Sequence, residues 1–343
     1  MNVLGNMDSE QAGARANWVP VSLITGFLGS GKTTLLNHLV GQPGMEATAL
    51  IINEFGEVGL DHLMVESAIE NTLLLENGCI CCSIRGDLVD TLLDLFRKAE
   101  SGEIPRFDRI LIETTGIADP VPIVQTLDSE PAAADHCRLD HVVTVVDGVL
   151  GLRQLEEYDE VAAQVAVADI LLISKSDLAE EGDRQRLGDA LAAINPAGRI
   201  QSMANGVVNP DDFFGDPTAS GQRARRTDMP AVHGHGKGHH HGSISTCSIV
   251  CEPAIEEAAL RFWLRMIVTL RPYALLRAKG YVNIRGADRP LLVQTVGPVV
   301  SPPEFVTAWP DGRVETRLVL IFRDLNPAQI RESFDRYVIG AAG

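Results

Sequence analysis

Residues 21–37 read V-S-L-I-T-G-F-L-G-S-G-K-T-T-L-L-N. The apolar, β-branched run at 19–24 predicts a strand, and the apolar periodicity of 33–40 predicts a helix that starts directly after a glycine-rich loop. Gly26, Gly31, Lys32 and Thr33 match the phosphate-binding pattern G-x-x-x-x-G-K-[ST] in full. A chance glycine-rich turn is the alternative, but the strand before the loop and the helix after it argue against that interpretation.

This loop has the chemistry that phosphate binding needs. Glycines let backbone N–H groups curl around the phosphates, and the helix N-terminus adds a partial positive charge. We expect Lys32 to reach the β- and γ-phosphates and the Thr33 hydroxyl to join the shell of a magnesium ion. The sequence therefore predicts that the chain binds a nucleoside triphosphate.

Length and composition limit the alternatives. A chain of 343 residues suggests two domains at about 150 residues each, and 45% hydrophobic residues suffice for two cores. The net charge of −17 argues against a nucleic-acid partner, because phosphate backbones require a basic protein face. The sequence contains no run of 18 or more apolar residues, so it predicts no membrane-spanning helix. Residues 1–17 lack the apolar core of a signal peptide, so we expect a disordered leader and a cytoplasmic location.

The chain up to residue 204 alternates apolar strands with helices. Continuous apolar runs without alternation are typical of strands buried on both faces. They occur at 47–53, 73–75, 109–113, 141–147 and 170–174, with a shorter run at 199–203 and a helical pattern at 84–99. This order predicts an α/β fold, a doubly wound and mostly parallel sheet. Glu113 ends one predicted strand, and ligands bind at the carboxyl ends of such strands, so we expect Glu113 beside the phosphate loop.

The character of the sequence changes at residue 205. Asp, Gly, Pro, Arg and His dominate residues 205–242, which predicts a linker. Beyond it, strand patterns at 243–250, 275–285, 291–296 and 316–322 and helical patterns at 256–270 and 327–339 predict a small α+β domain with an antiparallel sheet. The predicted organisation is a leader (1–17), a nucleotide-binding domain (18–204), a His-rich linker (205–242) and a C-terminal domain (243–343).

A second motif concerns the base. Ser174, Lys175, Ser176 and Asp177 follow a late strand, where guanine-specific phosphate-loop proteins carry N-K-x-D. The Asp177 carboxylate can accept two hydrogen bonds from guanine, and adenine offers no matching pair of donors. Lys175 can lie along the flat base. Ser174 replaces the usual Asn, and a surface turn is the alternative interpretation.

Three cysteines indicate a metal. Cys79, Cys81 and Cys82 lie within four residues and do not resemble a disulfide framework. Thiolates select soft or borderline ions such as zinc. Zinc prefers four ligands and this loop offers at most three, so at least one ligand must come from elsewhere. The candidates for the missing ligand are Glu57, Asp61, His62 or solvent. A redox pair or inert buried thiols are the alternatives.

Other histidines and cysteines are weaker candidates. A glycine-spaced tract contains His233, His235, His239, His240 and His241, and it is either a flexible metal collector or a solvated linker. We expect structural roles for the group His136, Cys137 and His141, and simple packing roles for Cys247 and Cys251.

Taken in order, these motifs resemble the CobW-type family of P-loop GTPases. The matching segments are G-F-L-G-S-G-K-T-T, I-N-E-F-G-E-V-G-L-D, N-G-C-I-C-C-S-I-R-G-D-L, I-E-T-T-G and S-K-S-D, followed by the His-rich linker and a small C-terminal domain. The resemblance covers about residues 19–339, and the cysteine motif is its most specific part. It implies a metal-handling protein, chiefly a zinc or cobalt chaperone, with relatives that mature nitrile hydratase, urease and hydrogenase.

The resemblance also implies roles for individual residues. The phosphate-binding residues would be Gly26, Phe27, Leu28, Gly29, Ser30, Gly31, Lys32, Thr33 and Thr34, with Gly116 of I-E-T-T-G near them. Thr33 and Glu113 would serve magnesium, and Ser174, Lys175, Ser176 and Asp177 would hold guanine. Cys79, Cys81 and Cys82 would hold zinc or cobalt. Ser83, Ile84, Arg85 and Gly86 would also touch the nucleotide.

The leading hypothesis is a GTP phosphohydrolase, with Lys32, Thr33 and Glu113 as catalytic residues, which passes a metal ion to a metalloprotein client under nucleotide control. A γ-phosphate with magnesium can order the loop at 54–62, and hydrolysis releases it. Two alternatives are a metal-storing module with structural nucleotide and an ATP-using enzyme with structural zinc. A nucleotide- or metal-dependent homo-oligomer is a further expectation.

Overall fold

The computed structural model describes residues 18–52, 73–76, 84–208, 240–241, 244–271, 273–300, 304–310 and 312–340, with backbone only at 73–76, 84–87 and 240–241. The strands of this described part form two sheets. None of its helices has both the length and the apolar character that a membrane span requires.

The first sheet contains seven parallel strands. They are β1 (Val19–Thr25), β2 (Thr48–Ile52), β3 (Leu73–Glu76), β4 (Arg109–Glu113), β5 (Cys137–Asp147), β6 (Ile170–Ser174) and β7 (Arg199–Ser202), in the order β3-β2-β4-β1-β5-β6-β7. Every residue of β2, β4 and β6 is buried, because helices cover both faces of a parallel sheet. The predicted α/β fold with a doubly wound sheet is confirmed.

Helices connect these strands. They are α1 (Lys32–Val40), α2 (Ile84–Ser101), α3 (Val121–Ser129), α4 (Pro131–Ala134), α5 (Gly151–Glu157), α6 (Asp159–Val167) and α7 (Glu181–Ile194). Leu36 and Leu39 of α1 pack with Ile24 on one face of the sheet. Leu92 of α2 packs with Leu23 on the opposite face. Alternate residues of β1 therefore enter two separate cores, as its position in the middle of the sheet requires.

The second sheet is antiparallel. Its strands are β8 (His240–His241), β9 (Ile244–Cys251), β10 (Leu275–Val282), β11 (Leu291–Val296), β12 (Val299–Val300), β13 (Glu304–Phe305) and β14 (Thr316–Arg323). They run in the order β12-β11-β10-β14-β9-β8, with β13 paired to β11. Helices α8 (Glu257–Leu270) and α9 (Pro327–Phe334) accompany them, and α9 continues into a π-helical turn at Asp335–Ile339.

The molecule has two halves, the first built on the parallel sheet and the second on the antiparallel sheet. Strand β14, in the middle of the second sheet, packs against both. Leu320 and Phe322 pack in the core of the second sheet with Trp263 of α8. Val319 and Ile321, on the other face of β14, belong to the large core that includes the parallel sheet. Because side chains alternate along a strand, one apolar run supplies both cores. The C-terminal sheet therefore packs directly against the first half.

Several boundaries differ from the sequence-based predictions. The strand predicted at 141–147 begins at Cys137, and the strand predicted at 275–285 ends at Val282. His240–His241 were predicted to lie in the linker, but they form β8 and pair with β9, because backbone pairing needs no apolar side chain. Cys247 and Cys251 pack in or against the second core, as expected. The remaining domain boundaries stay predictions.

A buried ion cluster fixes the contact between the two halves. Asp169, which precedes β6, accepts hydrogen bonds from Arg277 and from Lys279, whose Nζ lies 3.2 Å from Oδ1. The backbone N–H of Val142 donates to Oδ2 at 3.1 Å. Burial opposes ionisation of Asp169, but Arg277, Lys279 and His141, with the Val142 N–H, outweigh it and hold the pKa of the carboxyl well below its usual range.

Replacing Asp169 should strongly destabilise the fold. Asp169→Ala leaves Arg277 and Lys279 buried next to each other without their carboxylate, and removal of one partner from such a cluster costs about 3–5 kcal/mol. Urea denaturation at pH 7 measures the loss. As a control, Asp94→Ala removes an exposed carboxylate that also pairs with two cations, Arg97 and Lys98, and should have little effect.

The pH dependence follows from the same cluster. Because the folded-state pKa of Asp169 lies below the unfolded value of about 3.9, its stabilising effect is present above about pH 4 and is lost as the pH falls further. The free energy of unfolding of Asp169→Asn should therefore depend less steeply on pH below about pH 4 than that of the parent. Parallel acid dependences for the two proteins would contradict this assignment.

Candidate functional site

The candidate site lies at the carboxyl edge of the parallel sheet. The loop after β1, the segment after β4 and the loops after β5 and β6 all leave the sheet at this edge. In an open α/β sheet this edge is where ligands bind. Within the described residues, the fold brings together the phosphate loop, the I-E-T-T-G segment and the S-K-S-D segment.

Three glycines give the phosphate loop its shape. Gly26, Gly29 and Gly31 have φ values of +144°, +72° and +99°, which side chains other than glycine rarely adopt. A Cβ on Gly26 would also lie 2.2 Å from the carbonyl oxygen of Val145 in β5. Gly31 is the N-cap of α1, and its carbonyl accepts the first helical bond, from Leu35 at 3.0 Å. The loop therefore opens directly onto the helix N-terminus.

Lys32 lies inside this loop. Its side chain is buried, and Nζ donates to the carbonyl oxygens of Gly26 at 2.8 Å and Phe27 at 3.3 Å. Ser30 is fully buried, and its hydroxyl has no hydrogen-bond partner among the described residues. A buried hydroxyl without a partner is costly, whereas a phosphate oxygen would satisfy it. The cradle that glycine alone permits, the ammonium and the hydroxyl together fit a bound phosphate group.

The segment after β4 faces the same loop. The parallel register places Glu113, which is buried, beside Ile24 at the end of β1. The next residue, Thr114, donates its N–H to the Ile24 carbonyl at 2.9 Å and its hydroxyl to Thr25 Oγ1 at 2.9 Å. A Cβ on Gly116 would lie 2.7 Å from the backbone nitrogen of Leu28. The I-E-T-T-G segment and the phosphate loop are therefore in backbone contact.

The residues present fit a magnesium ion. The hydroxyl of Thr33 lies in the first turn of α1, and the carboxylate of Glu113 lies at the end of β4. Thr115 adds a buried hydroxyl without a hydrogen-bond partner in the described part of the chain. Hydroxyl, carboxylate and phosphate oxygens are the hard ligands that magnesium prefers.

The S-K-S-D segment is tied to the phosphate loop. The Ser174 hydroxyl lies 2.5 Å from the Ser30 carbonyl oxygen and 3.2 Å from that of Val146. The Ser176 hydroxyl donates to the Met203 carbonyl at 3.0 Å. Asp177 is exposed at the sheet edge. A serine in place of the usual Asn thus still connects the end of β6 to the phosphate loop.

Asp147 is a site residue that the sequence did not single out. It is buried at the end of β5, and Oδ2 accepts a bond from Lys175 Nζ at 2.5 Å. Oδ1 accepts from the N–H groups of Val149 at 2.8 Å and Leu150 at 2.9 Å. Burial alone would raise the pKa of this carboxyl, but Lys175 and the two N–H groups hold it below its ordinary value. Its place at the carboxyl end of a buried strand was the available signal.

Asp147 shapes the S-K-S-D segment. The backbone of Lys175 has a φ of +51°, which is unusual for a residue other than glycine. Its Nζ also donates to the Gly29 carbonyl at 2.9 Å. Gly148 donates its N–H to the Ser174 carbonyl at 2.9 Å, and a Cβ on Gly148 would lie 2.3 Å from that oxygen. One carboxylate thus holds Lys175 between two loops.

The predicted metal loop lies outside the described residues. This applies to Cys79, Cys81, Cys82 and Ser83, to the candidate ligands Glu57, Asp61 and His62, and to His233, His235 and His239. Ile84, Arg85 and Gly86 form the backbone of the first turn of α2. Among the described residues, no group of three or more His, Cys, Asp or Glu side chains is placed to hold a metal ion.

The structure supports structural roles for the second histidine–cysteine group. The ring of His136 stacks on Phe96 with centroids 4.9 Å apart, and His141 Nδ1 lies 3.1 Å from Asp140. Cys137 donates its thiol to the Ala133 carbonyl, and burial raises the pKa of this thiol to about 12. These side chains have separate partners.

Comparison with known proteins identifies the family. Residues 20–201 match the model of the CobW/HypB/UreG nucleotide-binding domain. The chain belongs to this family. Residues 244–338 match a second model, the cobalamin synthesis protein CobW C-terminal domain.

Its relatives include proteins named as zinc chaperones. The chain is 32% identical over 318 residues to the zinc chaperone YjiA of Escherichia coli strain K12, which covers 93% of this chain and 98% of that protein. It is 29% identical over 360 residues to the zinc chaperone CobW of a Sinorhizobium species, with 95% and 99% covered. The crystal structure of the Zn(II)-bound YjiA GTPase from E. coli superposes with a TM-score of 0.70 and 28% identity, covering 94% of this chain and 99% of that one.

Asp147→Asn should weaken guanine-nucleotide binding. The change keeps the size of the side chain but removes the charge that holds Lys175, and a hydrogen bond to a charged group contributes about 1.5–3 kcal/mol. We therefore expect GDP and GTP affinity to fall by a similar factor, roughly tenfold or more, in fluorescent-nucleotide titrations. Asp189→Asn on the exposed face of α7 is the control. Unchanged affinity in Asp147→Asn would show that Lys175 needs no anchor.

Proposed function

We propose that this chain is a GTP-hydrolysing metallochaperone, which binds a transition metal on Cys79, Cys81 and Cys82 and delivers it to a metalloprotein client under nucleotide control. Zinc is the favoured metal and cobalt the next. The observation that carries the proposal is the phosphate loop, in which a buried Lys32 lies among carbonyls next to a helix N-terminus. The contact of the S-K-S-D segment with that loop supports a guanine nucleotide.

Each part of the site has a role in phosphoryl transfer. Lys32 and the loop N–H groups bind and orient the β- and γ-phosphates, and Gly116 lies against the loop where the γ-phosphate is expected. Thr33 and Glu113 would hold magnesium, which supplies charge neutralisation on the phosphate oxygens. Lys175 and Asp177 hold the base. Positioning by these residues is what catalysis of this type requires.

The names of the relatives support the metal part of the proposal. YjiA and CobW are named zinc chaperones, and a relative from Dictyostelium discoideum is named a zinc-regulated GTPase metalloprotein activator. A YjiA variant with one glutamate and two cysteines replaced by alanine is also known in a Zn(II)-bound structure. Zinc can therefore bind that protein without those side chains, so a test here must resolve the tightest site from weaker ones.

Lys32→Ala should abolish magnesium-dependent GTP hydrolysis. The parent is expected to turn over slowly, on the order of 10⁻⁴ to 10⁻² s⁻¹, because the sequence identifies no stabilising arginine for the transferred phosphoryl group. Phosphate release measures the rate, and Lys98→Ala on the surface of α2 is the matched lysine control. Hydrolysis by Lys32→Ala at the parent's rate would show that the loop is wrongly assigned. Equal affinity of the parent for ATP and GTP would favour the ATP-using alternative.

Metal affinity should depend on the nucleotide. If the cysteine loop serves both ligands, a GTP analogue with magnesium should tighten the zinc site by roughly 5–150-fold, the usual range for coupled sites. Competition with a chromophoric chelator measures zinc affinity with analogue, with GDP and without nucleotide. Cys79→Ser combined with Cys81→Ser should remove the tightest site and the coupling but leave GTP binding intact.

The control for this experiment is Cys251→Ser. Cys251 lies in β9 against the second core, so its replacement should leave both zinc affinity and coupling unchanged. Equal zinc affinity of the parent in all three nucleotide states would contradict nucleotide-controlled delivery. It would favour the metal-storing module with structural nucleotide.

A further inference from the structure

Helix α6 contacts the phosphate loop at its amino end. Tyr158 is its N-cap, and the tyrosine ring lies 4.6 Å, centroid to centroid, from the ring of Phe27 in the phosphate loop. Tyr158 is nevertheless partly exposed, so this contact is at the rim of the site. The helix therefore begins at the nucleotide site.

The middle of α6 holds the I-E-T-T-G segment. Gln164 is buried, and its Nε2 donates to the carbonyl oxygens of Gly116 at 3.2 Å and Ala118 at 3.1 Å. The backbone carbonyl of Gln164 accepts a bond from Thr144 in β5 at 2.8 Å. One side-chain amide thus bridges the carbonyl of Gly116 and that of Ala118, two residues further along, while the helix itself is bonded to the sheet.

The carboxyl end of α6 contacts the C-terminal sheet. The Val167 carbonyl accepts a hydrogen bond from the buried guanidinium of Arg277 in β10. The same guanidinium donates to Asp169, two residues beyond the end of the helix. A nine-residue helix is about 13 Å long and moves as a rigid unit when it is buried on most of its surface.

We propose that Gln164 is a positioning residue for GTP hydrolysis, and that α6 couples the Gly116 segment to the C-terminal sheet. This inference rests on the proposed GTPase function. Gln164 restrains the carbonyl of Gly116, a residue so close to the phosphate loop that a Cβ on it would lie 2.7 Å from the backbone nitrogen of Leu28. Only two soft dihedral angles separate that restrained peptide plane from the preceding peptide of the I-E-T-T-G segment. A movement of this segment between the GTP and GDP states is passed through Gln164 to α6, and from α6 through Val167 to β10.

A purely structural role for Gln164 makes a different prediction. Its Oε1 is buried and has no hydrogen-bond partner in the described part of the chain, which is a cost that packing alone does not explain. If the amide only filled space, an apolar side chain of similar size would serve as well. If it positions Gly116, the same replacement should change hydrolysis without a comparable change in GDP binding.

The first experiment measures GTP turnover and GDP affinity of the full chain in the parent, Gln164→Leu and Thr144→Val. The Thr144 variant removes a bond to the same residue but not to the Gly116 segment, so it is the matched control. Each of the two hydrogen bonds from Gln164 contributes about a two- to tenfold factor, so kcat of Gln164→Leu should fall roughly fourfold to a hundredfold, with KM and GDP affinity within about twofold. Thr144→Val should match the parent.

The second experiment measures hydrogen exchange of residues 275–282 in the full chain with GDP and with a non-hydrolysable GTP analogue. The parent should show a nucleotide-dependent difference in protection in this strand, and Gln164→Leu should lose it. If Gln164→Leu does not fold, Gln164→Met tests the same loss of the amide. The comparison of the parent with GDP and with the GTP analogue tests the coupling even if neither variant folds.

The outcomes separate this inference from the proposed function. A parent that neither binds nor hydrolyses GTP overturns the proposed function. A parent that hydrolyses GTP while Gln164→Leu keeps the parental kcat, or while Thr144→Val loses as much, overturns only the positioning role. An identical exchange pattern of residues 275–282 with both nucleotides overturns the coupling.

Discussion

Gly26 lies so close to the carbonyl oxygen of Val145 that a Cβ would be 2.2 Å from it, and the phosphate loop can therefore close only over a glycine. This approach sets the distance between the loop and β5, and other features of the site follow from it. Because the loop is close to the carboxyl ends of β5 and β6, the Ser174 hydroxyl contacts the Ser30 carbonyl and Lys175 Nζ donates to the Gly29 carbonyl. Gly116, which follows β4, is equally close to the loop, since a Cβ on it would lie 2.7 Å from the backbone nitrogen of Leu28.

The ammonium charges of the site are held by nearby residues and are opposite in sign to the net charge of the protein. The chain carries a net charge of −17, yet two lysines lie at the carboxyl edge of the sheet. Carbonyl oxygens of the loop hold both ammonium groups, and the buried Asp147 also holds Lys175. Cations that are already oriented lose little further freedom when a polyanionic ligand binds, which is the physical advantage of a preorganised site.

The two halves of the molecule share a core as well as a buried ion cluster. Val319 and Ile321 of β14 enter the core of the first half, and Asp169 collects Arg277 and Lys279 at the amino-terminal end of β6. The opposite end of β6 carries the S-K-S-D segment. Both ends of this strand and of α6 are therefore engaged, one at the nucleotide side and the other at the C-terminal sheet. This arrangement would give the proposed nucleotide-dependent coupling a physical route.

The sequence by itself determined the elements whose signals are local. The strands at 170–174 and 291–296 were predicted residue for residue, because both are short segments rich in apolar and β-branched residues and bounded by turn residues. The phosphate loop could be located because its glycines and Lys32 lie within seven residues. By contrast, the strand predicted at 141 begins at Cys137, because C-R-L-D-H has no apolar continuity and extends the strand only by pairing with residues 19–21.

Tertiary structure alone decided which distant side chains meet. Asp147 and Lys175 are 28 residues apart, Gln164 and Gly116 are 48 apart, and Asp169 and Arg277 are 108 apart. None of these pairs has a local pattern, since each depends on the order of strands in the sheet and on the face that β14 presents to the first half. A periodicity shows that a residue is buried, but the partner it is buried against depends on how the strands and helices pack in three dimensions.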